Sequence, residues 1–209
     1  MQTQQPDDLL IYMKALSILS EEKKTSVRKL GFGALLNLSC ASNINQIFEW
    51  LLMHFSTSSS SVMLENGFSF SLTPMIVHKL FGLPVGPTNV KMNSTKEATH
   101  FIHNLVGMEK ATVQYLCSIL SNNLDEHDFS IIFMMASLSA FVAPNGRGYA
   151  STKYYPSLLN VPGIPSLDWS SFGLNWLLFC ILRHRRRIVQ NEDNILVDEP
   201  GGCKMILVV

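Results

Sequence analysis

Two histidines one helical turn apart, His100 and His103, carry the clearest pattern for metal chemistry in this sequence. Positions i and i+3 of a helix share a face, and Glu97 precedes His100 by one turn, so three ligands of a zinc site would lie on one surface. Phe101 and Leu105 mark the opposite, buried side of the same helix. We therefore predict that both histidines face solvent on an ordinary polar surface and that the chain holds no metal.

Two further segments resemble acid–base machinery, the tripeptide Glu126-His127-Asp128 and the lone His78. Acidic residues at a helix start are explained by capping and by the helix dipole. His78 follows apolar Val77, which predicts a partly buried ring hydrogen-bonded through one nitrogen, with no nucleophile placed to use it. No Gly-x-Ser-x-Gly elbow, Schiff-base lysine segment or phosphate-binding glycine loop is present. The sequence predicts neither enzymatic activity nor a cofactor.

The densest cluster of like charge in the chain is basic and consists of Arg183, Arg185, Arg186 and Arg187. Guanidinium groups at this density bind phosphates or serve as a nuclear import signal. Alternatively, the cations simply favour the C-terminal end of a helix, where the dipole is negative. Both interpretations stay open from the sequence.

Composition restricts the class of protein. The chain has 209 residues, a formal net charge of zero and 15% charged residues, so no global field attracts nucleic acid or an anionic membrane. Its polar, acidic start is unlike a signal peptide, and the longest apolar run, 131–143, is too short to cross a membrane. The four cysteines are dispersed without a Cys-x-x-Cys pair, which predicts reduced thiols inside the cell.

Apolar residues recur at helical spacing through most of the chain and predict a mainly α, single multi-helix domain with one small β-hairpin. The most apolar helix, 129–142, is hydrophobic nearly all round and is expected at the centre. Ser94 with Glu97 and Ser166 or Asp168 are the expected starts of two others. Seven or eight helices are predicted, within 7–19, 43–55, 74–81, 94–106, 113–120, 129–142, 151–160 and 166–187. The charged segment 20–29 is left open as a helix or a lead-in.

The hairpin is predicted from alternating apolar residues around a turn. Asn66-Gly67 suits the two positive φ angles of a type I′ turn, and Phe68, Phe70 and Leu72 alternate as a half-buried strand does. The pattern predicts that these three side chains face the core.

A capped helix is predicted directly after the hairpin. Thr73 is a suitable N-cap, and Pro74 suits the first helical position because it lacks a donor that would be orphaned there. Gly82 and Pro84 end the helix. Its expected apolar stripe is Val77, Leu80 and Phe81.

Several blocks, taken in order, resemble the plant mobile domain family, also called the aminotransferase-like plant mobile domain, and its transposon-derived relatives that often carry an Ulp1-type SUMO-protease domain farther along. The resemblance covers 26–203. The blocks that carry it are Arg28–Leu38, Ile47–Phe55, Leu72–Pro84, Phe141–Pro144, Tyr154–Leu158 and Asp168–Phe172. The resemblance implies a structural role for the residues that match the family's motif, which are Gly31, Trp50, Gly67, Thr73, Pro74, His78, Gly82, Pro84 and Trp169. We expect Trp50, Trp169 and Trp176 to anchor the core.

The resemblance implies a transposon-derived, non-enzymatic interaction module of the nucleus (alternatively the cytoplasm), linked to transposon silencing or genome maintenance. It divides the chain into an N-terminal helix with a charged lead-in, 1–25, the family-like domain, 26–203, and an atypical tail, 204–209, expected to be a truncation. The expected partner is a protein, with weak nucleic-acid contact through Arg183–Arg187 as one alternative and no membrane. A second alternative is an inactive N-terminal remnant of a SUMO-protease-like polyprotein. The oligomeric state is not predicted.

Overall fold

The computed structural model describes residues 8–38, 50, 53–64, 66–145 and 148–190, with the backbone alone at 184 and 186–190. Within these residues the protein is mainly α, with one small antiparallel sheet, as predicted. The helices are α1 (Asp8–Ser17), α2 (Glu21–Lys29), α3 (Pro74–Phe81), α4 (Lys96–Val106), α5 (Val113–Ile119), α6 (Glu126–Ser137), α7 (Tyr155–Leu158) and α8 (Trp169–Gln190). The strands are β1 (Phe55–Ser56), β2 (Ser61–Met63) and β3 (Ser69–Ser71).

The centre of the fold is α6, which continues as a π-helical turn over Leu138–Val142. Every residue from 129 to 143 is buried, and α6 packs against both α2 and α5. Its serines remain compatible with this position because their hydroxyls are hydrogen-bonded; Ser137, for example, donates to the Phe133 carbonyl oxygen over 2.8 Å. The predicted central helix is therefore confirmed, whereas its π turn was not predicted.

Helix α1 packs on α5 and reaches the same core through Tyr12. The Tyr12 hydroxyl lies 2.6 Å from the Ser137 hydroxyl, and burial raises the pKa of Tyr12 far above its usual range. Helical spacing predicted a buried stripe of Leu9, Leu10, Met13, Leu16 and Leu19. Leu16 and Leu19 are buried as predicted, but Leu10 is exposed, and Tyr12 and Ala15 are buried without having been predicted. The buried face is thus shifted toward Tyr12, whose hydroxyl has a polar partner inside the core.

The predicted caps of α3 are confirmed. Thr73 Oγ1 accepts a hydrogen bond from the Ile76 amide over 3.2 Å, Pro74 opens the helix, and Gly82 ends it with φ of 63°. Val77 and Phe81 are buried, but Leu80 is exposed, so its assignment to the apolar stripe is wrong. The helix contacts the core through a narrower face than its sequence suggests.

The hairpin turn differs from the predicted type I′ turn. The Leu64 amide donates to the Phe68 carbonyl over 2.8 Å and the Gly67 amide donates to the Leu64 carbonyl over 2.9 Å, so three positions separate the paired residues Leu64 and Phe68. Gly67 has φ of 79°, whereas Asn66 has no positive φ. Asn66 Oδ1 instead accepts a hydrogen bond from the Phe68 amide over 3.0 Å. A three-residue loop of this kind needs glycine only at its last position.

Three other element boundaries differ from prediction. Most of the predicted helix 43–55 lies outside the described residues, and Phe55 belongs to β1, a strand that periodicity did not predict. Helix α4 starts from Thr95, whose hydroxyl accepts from the Ala98 amide, and not from Ser94. The proline-rich stretch 161–165, predicted as a loop between two helices, lies in a 3-10 helix, Val161–Ser166.

Of the two candidate caps for the last helix, Asp168 is the one used. Its Oδ1 accepts a hydrogen bond from the Ser171 amide over 2.9 Å. Ser170 in the first turn of α8 donates to the Leu83 carbonyl over 2.7 Å. The start of α8 is thereby joined to the end of α3.

Candidate functional site

Four residues of the resembling motif, Gly31, His78, Gly82 and Pro84, form a structural junction. A Cβ built on Gly31, which has φ of 82°, would lie 2.9 Å from Pro84 Cγ, and one built on Gly82 would lie 2.5 Å from Ala34 Cβ. His78 Nδ1 lies 2.7 Å from the Leu83 carbonyl oxygen, which confirms the predicted hydrogen bond; the contact is partly buried, although the residue as a whole is exposed. The motif glycines therefore permit close packing between the end of α2 and the end of α3.

The tryptophans divide between core and surface. Trp169 is fully buried and its Nε1 donates to the Ile164 carbonyl over 2.9 Å, so its predicted role as a core anchor is confirmed. Trp176 is half-buried. Trp50 is exposed and stacks on His54 with ring centroids 4.2 Å apart, so the core assignment is wrong for Trp50.

The apolar face of the hairpin is buried in the core at one part and exposed to solvent at the other. Phe55, Val62 and Phe70 lie opposite one another in adjacent strands and thus share one face of the sheet. Phe55 and Val62 are buried, but Phe70 is 38% exposed and Phe68, two residues before it on the same face, is 65% exposed. The predicted half-buried strand is therefore wrong at both phenylalanines and right only at Leu72.

The outer edge of β3 is open within the described part of the chain. The pairs Ser60–Leu72 and Leu64–Phe68 are hydrogen-bonded, and because such pairs alternate in an antiparallel ladder, the backbone groups of Phe70 point toward β2. Those of Ser69 and Ser71 therefore point to the open edge. All three β3 residues are exposed, and none is charged. The hairpin thus presents two exposed aromatic rings beside unpaired backbone groups.

The predicted arginine cluster does not act as one uniform group. Arg185 is half-buried, and its Nη2 donates to the Phe55 carbonyl oxygen, which joins α8 to β1. Arg183 is exposed. The side chains of Arg186 and Arg187 lie outside the described residues. One of the four predicted phosphate-binding residues therefore has a structural role that spacing did not reveal.

The histidine pair on α4 does not form a shared site. His100 is exposed and its Nε2 lies 3.0 Å from Asn104 Nδ2. His103, also predicted to face solvent, turns inward: its ring meets Tyr155 edge-on at 6.2 Å, and its Nε2 is buried with no hydrogen-bond partner among the described residues. The inward direction follows because α4 packs against α7, which carries Tyr155.

A different cluster brings potential ligand atoms together at the start of α6. One atom each of Asp125, His127 and Asp128 lies within 4.8 Å of the other two. Asp125 was not singled out by the sequence; its Oδ1 caps α6 by accepting from the Asp128 amide over 2.8 Å. The N-terminal end of a helix carries partial positive charge and therefore disfavours a cation. Capping explains this cluster fully.

The two described cysteines are poor nucleophiles. Burial raises the pKa of Cys117 to about 12 and that of Cys180 to about 11, so both are protonated at neutral pH. Both are free thiols. Cys40 and Cys203 lie outside the described residues. Among the described helices, none has the length and apolar character that crossing a membrane requires.

Comparison with known proteins places this sequence in a family. The chain belongs to the family described as Domain of unknown function (DUF8566), whose sequence model matches residues 6–207. No curated protein and no solved structure matches the chain.

Proposed function

We propose that this DUF8566 protein is a non-enzymatic interaction module that binds a protein partner through the β2–β3 hairpin. The observation that carries the proposal is the exposure of Phe68 and Phe70 on a face that is otherwise core. Aromatic side chains are enriched at protein interfaces, where they bury large areas at low entropic cost. Their exposure in the free chain is best explained by a surface that a partner covers.

The open edge of β3 supports the same surface. Ser69 and Ser71 direct backbone groups outward, and a partner strand that pairs with them would bring its own side chains beside Phe70. Natural edge strands are commonly protected by charge or proline, and β3 has neither. A hairpin of this kind recognises a partner by backbone pairing and by apolar contact together.

The biological setting of the proposal rests on sequence resemblance. The blocks that resemble the plant mobile domain family support a transposon-derived protein of the nucleus, linked to silencing or genome maintenance. The hypothesis of a SUMO-protease-like remnant stays a prediction that the described residues do not address.

Nucleic-acid binding through the arginine end is the second candidate function. Arg183 is exposed and makes no ion pair with any described residue, which leaves its charge available to a phosphate. The zero net charge of the chain and the structural role of Arg185 weigh against tight binding. A salt series with duplex DNA tests this candidate, using a variant in which Arg183, Arg186 and Arg187 become Ala and Arg185 is kept.

The hairpin proposal is tested by quantitative capture from plant nuclear extract, followed by binding of the captured protein in purified form. The test variant combines Phe68→Ser with Phe70→Ser. The matched control is Ile18→Ser, because Ile18 is 72% exposed and lies between α1 and α2, away from the hairpin sequence. We expect one purified partner to bind the wild type and the control and to be lost by the hairpin variant. Equal binding by all three proteins would refute the proposed surface.

A further inference from the structure

Helix α8 carries a second apolar surface, centred on Phe179. This ring is 54% exposed, and Leu182, three residues further along, is 40% exposed. Residues three and four positions apart on a helix are neighbours on its surface, so Asn175, Trp176, Leu182 and Arg183 surround Phe179. We call these five residues the α8 face: Asn175, Trp176, Phe179, Leu182 and Arg183.

The aromatic part of the α8 face is held in place. Trp176 Nε1 donates to the Pro144 carbonyl oxygen over 2.9 Å, which fixes the indole against the segment that follows α6. The Phe179 ring packs against this indole with ring centroids 5.8 Å apart and an interplanar angle of 41°. Ordered aromatic rings lose little conformational entropy when a partner covers them. The surface is therefore preorganised for contact.

The charge of the α8 face is one-sided. Arg183 is exposed and has no ion pair with any described residue, while the face itself contains no acidic side chain. The sequence adds two arginines further along the same helix, at 186 and 187. A partner that covers Phe179 therefore binds more favourably if it places negatively charged residues near the C-terminal end of α8.

We propose that the α8 face binds an amphipathic helix of a protein partner, antiparallel to α8, with acidic residues in the first turns of that helix. Side chains spaced three and four apart along a straight helix match the grooves of a second helix packed beside it. Antiparallel packing places the acidic N-terminal turns of the partner against Arg183, and acidic residues are also favoured there by the partner's own dipole. The proposal rests on the proposed function, protein binding, but uses a surface separate from the hairpin.

A second copy of this chain fits the α8 face less well. Parallel pairing of two α8 helices would bring their arginines together, which is repulsive. Antiparallel pairing would place Arg183 against the first half of the other α8, where the helix from Trp169 to Asn175 contains no acidic residue. Nucleic acid also fits less well, because Leu182 offers no stacking surface and the chain has a formal net charge of zero.

The experiment measures fluorescence anisotropy of a labelled synthetic peptide of about 16 residues, long enough to form a helix when bound. The peptide has Leu at positions i, i+3, i+4 and i+7 and Glu in its first two turns; a control peptide has Lys in place of Glu. We expect saturable binding of the Glu peptide to the full chain. Phe179→Ser is expected to weaken this binding by at least about tenfold, as for other central interface aromatics.

Charge reversal tests the acidic character of the partner. Arg183→Glu is expected to lower the affinity for the Glu peptide by about two- to fivefold at low salt and to raise the affinity for the Lys peptide by a similar factor. The Phe68→Ser, Phe70→Ser variant should bind the Glu peptide like the wild type, so this test succeeds or fails independently of the hairpin. Thermal unfolding of each variant confirms that it is folded.

Three results would overturn the proposal. The first is absence of saturable binding of the Glu peptide, and the second is equal affinity of the Phe179→Ser variant. The third is binding of a single-stranded poly-dT oligonucleotide that is lost in Phe179→Ser, which would assign the α8 face to nucleic acid.

Discussion

The segment 129–143, which comprises most of α6 and its π turn, and the β2–β3 hairpin both have apolar patterns, but only the first is covered on all sides. All residues from 129 to 143 are buried beneath α2, α5 and the segments that follow. The hairpin also has an alternating apolar pattern, but Phe68 and Phe70 are exposed. An apolar pattern thus specifies a face, while the number of neighbouring elements decides whether that face is core or an interaction surface.

The largest expected difference is in the free energy of unfolding when a phenylalanine is replaced by alanine in each of the two regions. Phe133→Ala should lower the free energy of unfolding by about 3–5 kcal/mol, because it leaves a cavity around a fully buried site. Phe68→Ala should change it by no more than about 0.5 kcal/mol. Urea unfolding of both variants measures the difference. Similar losses in the two proteins would mean that the hairpin tip is packed in solution.

Alanine substitutions at two glycines compare the stability cost of backbone strain alone with the cost of strain and steric overlap together. Gly67→Ala should cost about 1–2 kcal/mol, because alanine is strained at φ of 79° but meets no other atom there. Gly82→Ala should cost more, because the new Cβ would also lie 2.5 Å from Ala34 Cβ. Thermal unfolding distinguishes the two costs. Equal losses of stability would show that α3 can move away from residues 33–37 at little cost.

Two arginines of the same cluster should differ in their contribution to stability. Arg185→Ala removes the hydrogen bond to the Phe55 carbonyl and should cost about 1–2 kcal/mol. Arg183→Ala should be neutral within about 0.5 kcal/mol, since Arg183 is exposed. Denaturant unfolding provides the measurement. Indistinguishable variants would contradict a structural role for Arg185.

The smallest effect concerns acid stability near α6. The hydrogen bond from Lys29 lowers the pKa of Glu126 below its ordinary value of 4.5, although both groups are exposed. A carboxyl with a lowered folded pKa contributes stability that is present above pH 4.5 and is lost as the pH falls through the folded pKa. Glu126→Gln should therefore flatten the pH dependence of unfolding below pH 4.5. An unchanged profile between pH 2 and pH 6 would contradict this contribution.

Local signals in the sequence were sufficient for the helix boundaries that depend on a few adjacent residues. Thr73, Pro74 and Gly82 define α3 by capping chemistry, which acts within one turn, and the structure agrees at all three. The same kind of signal left Ser166 and Asp168 as equal candidates, because both have a suitable side chain. Only the fold, which directs the Asp168 carboxylate to the Ser171 amide, decided between them.

Long-range contacts were not accessible from spacing. His103 was predicted to face solvent, yet α7 lies against α4 and encloses its ring. Arg185 was predicted to act with its neighbours, yet β1 lies within reach of its guanidinium group. In both cases the deciding partner is more than 50 residues away in the chain, and single-sequence periodicity contains no information about it.

The sequence by itself determined the mainly α class, the central place of the 129–142 helix and the caps of α3, because these follow from local periodicity and from backbone groups satisfied within one turn. Only the tertiary structure decided that Phe68, Phe70 and Phe179 are exposed, that Tyr12 is core and that Arg185 is structural. The physical reason is that burial is a property of how many elements meet at a position, and that number is set by packing between distant segments.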